Sequence, residues 1–269
     1  MKRLIWDAPA RIFHWALAVS VAGAFLIGEF GSHDSPVFYV HIFCGLMALL
    51  LVAWRIVWAL LGSRHSRFGA LLFRPAETLE YFSAVFKGQG RYYAGHNPGG
   101  AIAILAMLAL VLGTVFSGLM IGLVGEDPFA EIHEVLPKLL LLVVLVHIGG
   151  VLLASWMHKM NYTAAMFSGS KTAAETDAIR SSRPLAAIIL ILYLATGGYY
   201  LWSGLDTQKG QLNLAGTSLS IPLGESEAEA ENETGSEHAE KEHSPKDRPV
   251  NTATAKKHHD DDDDDDDDD

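Results

Sequence analysis

The sequence predicts an all-α integral membrane protein: a four-helix transmembrane bundle, a fifth transmembrane helix and a disordered acidic tail. Three observations carry this. Half of the 269 residues are hydrophobic, and mean hydropathy is +0.21. The apolar residues gather in long blocks instead of alternating with charge, as a hydrocarbon surround requires. Five blocks, at residues 11–30, 37–61, 99–124, 128–158 and 184–204, reach the roughly 20 residues needed to cross a bilayer.

The elements follow in order. Lys2 and Arg3 precede the first block, and Ala22, Gly23 and Ala24 lie within it, a pattern that a cleavable leader shares. Trp6, Asp7 and Arg11 interrupt the charged region and the apolar run continues to Phe30, so the block is read as a retained span. The loop after the second span holds Pro75, an amphipathic stretch around Glu77 to Phe86, and then Gly88, Gly90 and Gly95. Residues 76–87 therefore predict a short helix lying on the membrane surface. Asn97-Pro98 and Asp127-Pro128 each supply a capping side chain followed by proline in the first helical turn, and so open spans three and four. Glu126 and Glu131 suit the positive end of the fourth helix. Pro137, inside that helix, cannot donate to the carbonyl of His133. It is either an ordinary transmembrane proline or a kink that aims His133.

Residues 1–170 form the four-span domain, 171–204 a linker and the fifth span, and 205–269 the tail. From Asp206 onward six Lys and Arg face twenty Asp and Glu, a net −14 that leaves +3 on the rest. Glu225–Glu242 and the terminal aspartates from Asp260 cannot bury enough apolar surface to fold. The tail reads as a solvated, repulsive segment, with a weak docking site for a metal ion or a basic protein as the sharper alternative. Cys44 stands alone in an apolar run, so there is no disulfide framework and no Cys-x-x-Cys-His for covalent haem attachment. No nucleotide loop, hydrolytic triad, zinc motif or nucleic-acid partner is indicated.

Loop charge gives the expected orientation. Lys2, Arg3 and Arg11, then Arg64, Arg67, Arg74, Lys87 and Arg91, then Lys159, Lys171, Arg180 and Arg183 mark cytoplasmic segments. The intervening loops carry Glu29, Asp34, Glu126, Asp127, Glu131 and Glu134 with only Lys138 as a cation. The N-terminus is then cytoplasmic and the tail faces outward.

Chemistry enters with four histidines inside the spans. His133 and His147 are fourteen residues apart. At about 100° and 1.5 Å per residue, that interval returns the side chain to within about 40° of its starting direction and raises it about 21 Å. His14 lies one turn inside the cytoplasmic end of span one and His41 one turn inside the outer end of span two. Intramembrane ionisable residues are costly and mark function. The depths pair His14 with His147 and His41 with His133, each pair offering both axial nitrogens to the iron of one haem b. The expectation is a di-haem bundle whose closed coordination suits electron transfer.

Arg55 lies fourteen residues after His41 on the same face and needs an anion. It either pairs with a propionate of the inner haem or snorkels to the surface. Arg11 is a weaker partner for the same propionate. Gly45, Gly149 and Gly150 offer close approach to a porphyrin or a neighbouring backbone. His33, His65, His96 and His158 are read as surface residues, with propionate or quinone contact a lesser alternative for His96 and His158.

The run Trp6-Asp7-Ala8-Pro9-Ala10-Arg11-Ile12-Phe13-His14-Trp15, the stretch from His41 to Arg55, Gly95-His96-Asn97-Pro98, and His133 with His147 resemble the bacterial cytochrome b561 family. That family includes the cytochrome b subunits of nickel-iron hydrogenases. The resemblance covers about residues 1–170. It implies a four-helix bundle with two b haems on His14, His41, His133 and His147, passing electrons between quinone and a hydrogenase-like partner or a periplasmic cytochrome c. The rivals are a haem-free transporter or proton- or ion-conducting protein, and a haem-free scaffold subunit that works through its tail.

Overall fold

The computed structural model describes residues 1–32, 35–125, 128–207, 209–213 and 220–222. Five helices are long and apolar enough to cross a membrane: α1 Ala8–Phe30, α2 Phe38–Leu61, α4 Pro98–Val124, α5 Phe129–His158 and α7 Pro184–Gly204. Two shorter helices, α3 Pro75–Phe86 and α6 Tyr162–Ser168, lie between them in sequence. All five expected spans and the expected short helix are present, the latter displaced by one residue. The helix at 162–168 was not expected.

Local chemistry explains the helix starts. Asp7 accepts the amide of Ala10 at 2.9 Å and opens α1 ahead of Pro9, earlier than the predicted start. Asn97 accepts the amide of Gly100 at 2.7 Å and Pro98 follows, as the sequence indicates. α5 starts at Phe129 with Pro128 in the cap position. The expected cap Asp127, with Glu126, His33 and Asp34, lies outside the described residues. Pro137 sits inside α5 without ending it.

α1 packs along α2, and α4 along α5. The two hairpins meet through α2 and α4, and α7 leans on α1 and α2. Tyr193 of α7 donates to the Leu50 carbonyl at 3.1 Å, and its ring lies 6.0 Å from that of Trp54. At the centre, Ala48 and Val52 of α2, Val111 of α4 and Leu140 of α5 form a buried apolar layer, joined by Leu17 and Val21 of α1. Leu140 is seven residues from both His133 and His147. The layer therefore separates the two histidine levels.

The end of the bundle that carries the N-terminus is strapped together. β1 (Lys2–Leu4) pairs antiparallel with β2 (Ser170–Thr172), tying the entry to α1 to the segment after α6. Gly169 makes the turn possible. Its φ is +79°, and a Cβ there would lie 2.8 Å from the Trp6 carbonyl oxygen. Its own carbonyl accepts the amides of Ile5 and Trp6. Ala8 donates to the Ser182 carbonyl at 2.8 Å and Ile179 to that of Leu4 at 2.9 Å.

At the other end the structure departs from expectation. The tail begins with a three-stranded antiparallel meander, β3 (Leu205–Asp206), β4 (Gln211–Asn213) and β5 (Ser220–Pro222). Leu212 is buried against Leu46 and Leu201, with Leu205 and Ile221 packed beside them. Acidic residues are absent between Thr207 and Gly224, so apolar side chains can fold onto the bundle before the charge run begins. The acidic stretch itself, expected to be disordered, lies outside the described residues.

Candidate functional site

His41 on α2 and His133 on α5 come together between the hairpins. Their ring centres are 6.0 Å apart, with the planes crossed at 80°. Nδ1 of His41 donates to the Ala24 carbonyl of α1 at 2.7 Å. Nδ1 of His133 donates to the Thr114 carbonyl of α4 at 3.0 Å and lies 3.1 Å from Oγ of Ser117. A carbonyl can only accept, so the proton sits on Nδ1 in both rings and Nε2 keeps its lone pair. This is the tautomer of a metal-binding imidazole whose second nitrogen is held by an outer partner.

Glycines on the facing helices make room for these rings. A Cβ at Gly28 would lie 2.9 Å from His41, and one at Gly118 would lie 2.9 Å from Cε1 of His133. Ser117 is itself buried and donates to the Thr114 carbonyl at 2.9 Å. Sequence reasoning weighed glycines on the ligand-bearing helices instead. Among the described residues, and apart from their own helix backbone, nothing lies within 4 Å of a Cβ built at Gly45, Gly149 or Gly150, so no neighbouring helix backbone packs against these positions.

His14 on α1 and His147 on α5 lie within electrostatic range of each other at the opposite level. His14 meets Trp15 edge-on, with ring centres 4.9 Å apart, and its Nδ1 is buried without a hydrogen-bond partner. A buried ring nitrogen left in this way costs about 1–3 kcal/mol unless something bonds to the imidazole. Of the four sequence-predicted histidines, His41 and His133 are thus seen side by side. Among the described residues no three His, Cys, Asp or Glu side chains gather around one point. Bis-imidazole axial ligation asks for only two protein donors per iron.

Beyond His14 and His147 is a polar network that the sequence did not announce. Asp7 is fully buried and accepts from Trp58 Nε1 at 3.2 Å, the Ser63 amide at 3.3 Å and Ser66 Oγ at 3.0 Å, besides its capping bond. Arg55 does not snorkel to the surface. It is buried, donates to the Ser66 carbonyl at 2.8 Å and has Asp7 as its charged neighbour. This chain therefore places an acidic residue of its own, Asp7, beside the arginine. Arg11 donates to the Phe167 carbonyl, and its Nε is buried without a partner.

Two of the histidines read as surface residues are not on the surface. His65 is buried, with Nε2 donating to the Asp177 carbonyl at 2.8 Å. His96 lies 4.7 Å from the Trp6 ring, and its Nδ1 is shut off from solvent without a partner. Desolvation, reinforced by Arg55, His65 and Lys171, pushes its imidazole down to about 3. Lys171 is buried among Trp6, Tyr92 and Tyr162, with Nζ 4.7 Å from the Tyr162 ring centre, and donates to the Tyr93 carbonyl. Burial lowers that amine to about 8. His158, expected at the rim, stands beside Tyr92 and Tyr162.

Comparison with known proteins agrees with this architecture. The family model for prokaryotic cytochrome b561 matches residues 5–169. A probable Ni/Fe-hydrogenase 1 B-type cytochrome subunit of Escherichia coli (strain K12) is 28% identical over 140 residues, covering 43% of this chain and 57% of the relative. Probable Ni/Fe-hydrogenase B-type cytochrome subunits of Azotobacter vinelandii and Bradyrhizobium diazoefficiens are 26% and 25% identical over 133 and 141 residues. Those two alignments cover 42% and 44% of this chain and 55% and 54% of the relatives. The chain thus spans about half the length of the curated relatives it matches. No solved structure matches it.

Proposed function

We propose, from the premise that this chain belongs to the prokaryotic cytochrome b561 family, that it is a di-haem b-type cytochrome carrying electrons across the inner membrane between quinone and a redox partner. The observation that carries the proposal is the His41 and His133 pair, with each Nδ1 proton held by a backbone carbonyl of a neighbouring helix. Their ring centres, 6.0 Å apart, are close enough for both imidazoles to hold one metal-centred group. His14 and His147 would serve the second group.

Haem supplies reversible one-electron chemistry at each level. The residues supply the rest. Ala24, Thr114 and Ser117 fix the tautomer and the direction of the outer ligands. Gly28 and Gly118 let the rings seat against α1 and α4. Arg11, and Arg55 beside its Asp7 neighbour, would offer positive charge to the propionates of the inner group. Arginine excess puts the N-terminal end in the cytoplasm and residue 205 in the periplasm. A hydrogenase-like protein, as in the names of the relatives, or a periplasmic cytochrome c is the partner class.

A reduced-minus-oxidised spectrum with haem quantitation on the purified protein tests this. Two b haems per chain are expected, and none would overturn it. His41→Ala and His133→Ala should remove one centre, His14→Ala and His147→Ala the other. Loss of the same centre from His133→Ala and His147→Ala would refute the pairing.

A further inference from the structure

We infer that the N-terminal-side surface carries a binding site for the phosphate headgroup of an anionic phospholipid, separate from the histidine pairs. A cavity of about 590 Å³ lies between the end of α2 and the start of α7, lined by Arg64, Arg67, Arg180 and Arg183 with Ser63 and Ser181. No acidic side chain lines it. Arg64 is engaged by the Thr176 carbonyl at 2.8 Å and stands 4.0 Å from Asp177, and Arg67 donates to the Gly62 carbonyl. The guanidinium groups of Arg180 and Arg183 have no hydrogen-bond or ion-pair partner among the described residues.

Arginines at span ends ordinarily spread apart into the headgroup region. Here two segments far apart in sequence are pinned so that the charges converge. The Ala8 to Ser182 and Ile179 to Leu4 backbone bonds hold residues 179–182 against β1 and the start of α1, and the Arg64 to Thr176 and His65 to Asp177 contacts hold 176–177 against the segment after α2. Arg183 is one of two non-glycine residues among those described with positive φ, at +57°, and α7 begins after it without a side-chain cap. Holding four like charges around one concavity, with a strained residue among them, is unfavourable without an anion. Guanidinium forks match phosphate oxygens, and basic pockets between spans take anionic headgroups. The margins argue for a lipid and not a soluble phosphate. Phe68 and Leu72 on one side and Leu185 and Ile188 on the other are exposed, offering apolar contact to acyl chains.

The test uses the full purified chain in nanodiscs of phosphatidylcholine, with and without phosphatidylglycerol, read by thermal unfolding and by native mass spectrometry of retained lipid. Phosphatidylglycerol should be retained and raise the unfolding temperature, while phosphatidylcholine should do neither. The double variant Arg180→Gln, Arg183→Gly should lose about tenfold or more in apparent lipid affinity. Because glycine relieves the positive φ at 183, the variant should be at least as stable as the parent in phosphatidylcholine alone, which separates lost binding from lost folding. Equal retention of both lipids, or unchanged phosphatidylglycerol binding by the double variant, would overturn the site. Stabilisation by millimolar inorganic phosphate in detergent equal to that by the lipid would overturn its assignment to a membrane lipid.

Discussion

Gly118→Ala puts the account of the outer pair at risk most directly. The added methyl would lie 2.9 Å from Cε1 and 3.2 Å from Nδ1 of His133. Restoring ordinary contact displaces the ring by roughly 0.5 Å, which stretches the 3.0 Å bond from Nδ1 to the Thr114 carbonyl beyond useful length. Overpacking of this kind costs about 1–3 kcal/mol, and a lost buried hydrogen bond adds about 1 kcal/mol. Replacing glycine in a helix returns about 1 kcal/mol. The net is a destabilisation of about 1–3 kcal/mol. Gly113→Ala in the same helix is the comparison, since its methyl would meet only the flexible Leu136 Cδ1 at 3.2 Å. That change should be neutral or stabilising by up to about 1 kcal/mol. Thermal unfolding of the purified protein reads the sign, and the reduced-minus-oxidised spectrum reads which centre is disturbed. Gly118→Ala should broaden or deplete the centre lost in His133→Ala and spare the other. Identical unfolding temperatures and intact spectra for the two glycine variants would refute the reasoning.

Other outcomes follow from the N-terminal-side network. Asp7→Ala should destabilise by about 3 kcal/mol or more, because it removes a cap and strands Trp58, Ser66 and Arg55 in a dry site, whereas Asp7→Asn should cost about 1–2 kcal/mol; unfolding in detergent ranks them. His96 has a folded pKa of about 3, below its unfolded value, so the unfolded chain binds the extra proton as pH falls below about 6.5. Stability should therefore decline with acid at up to about 1.4 kcal/mol per pH unit, and His96→Gln should flatten that decline in melts between about pH 7 and about pH 4.5. A wild-type profile as flat as that of the variant would contradict the burial of His96.

Much of this architecture is legible in one sequence because the bilayer limits the choices. Span length and loop charge locate the helices, and Asn97-Pro98 marks the start of α4. Helical phase likewise selects His14, His41, His133 and His147. What escaped the reading depends on which helix faces meet. Spans that are apolar on every side give no moment to point at a neighbour, so Gly28 and Gly118 could not be assigned to His41 and His133. Asp7 resembled an incidental charge near the N-terminus until α2 brought Trp58 and α2's exit brought Ser66 against it. The strap between β1 and β2 joins three-residue strands about 170 positions apart, too short and too remote for any periodic signal.

The apolar layer of Ala48, Val52, Val111 and Leu140 has an electrical consequence. None of these side chains can hold or relay a proton. Moving one elementary charge across a membrane against 100 mV takes about 2.3 kcal/mol. If redox groups occupy both levels, as proposed, the charge that crosses is an electron, while protons taken up or released stay on the side where they appear. Opening the layer with a polar pair, such as Val52→Asp with Leu140→Asn, would leak that separation away before it disturbed either histidine pair.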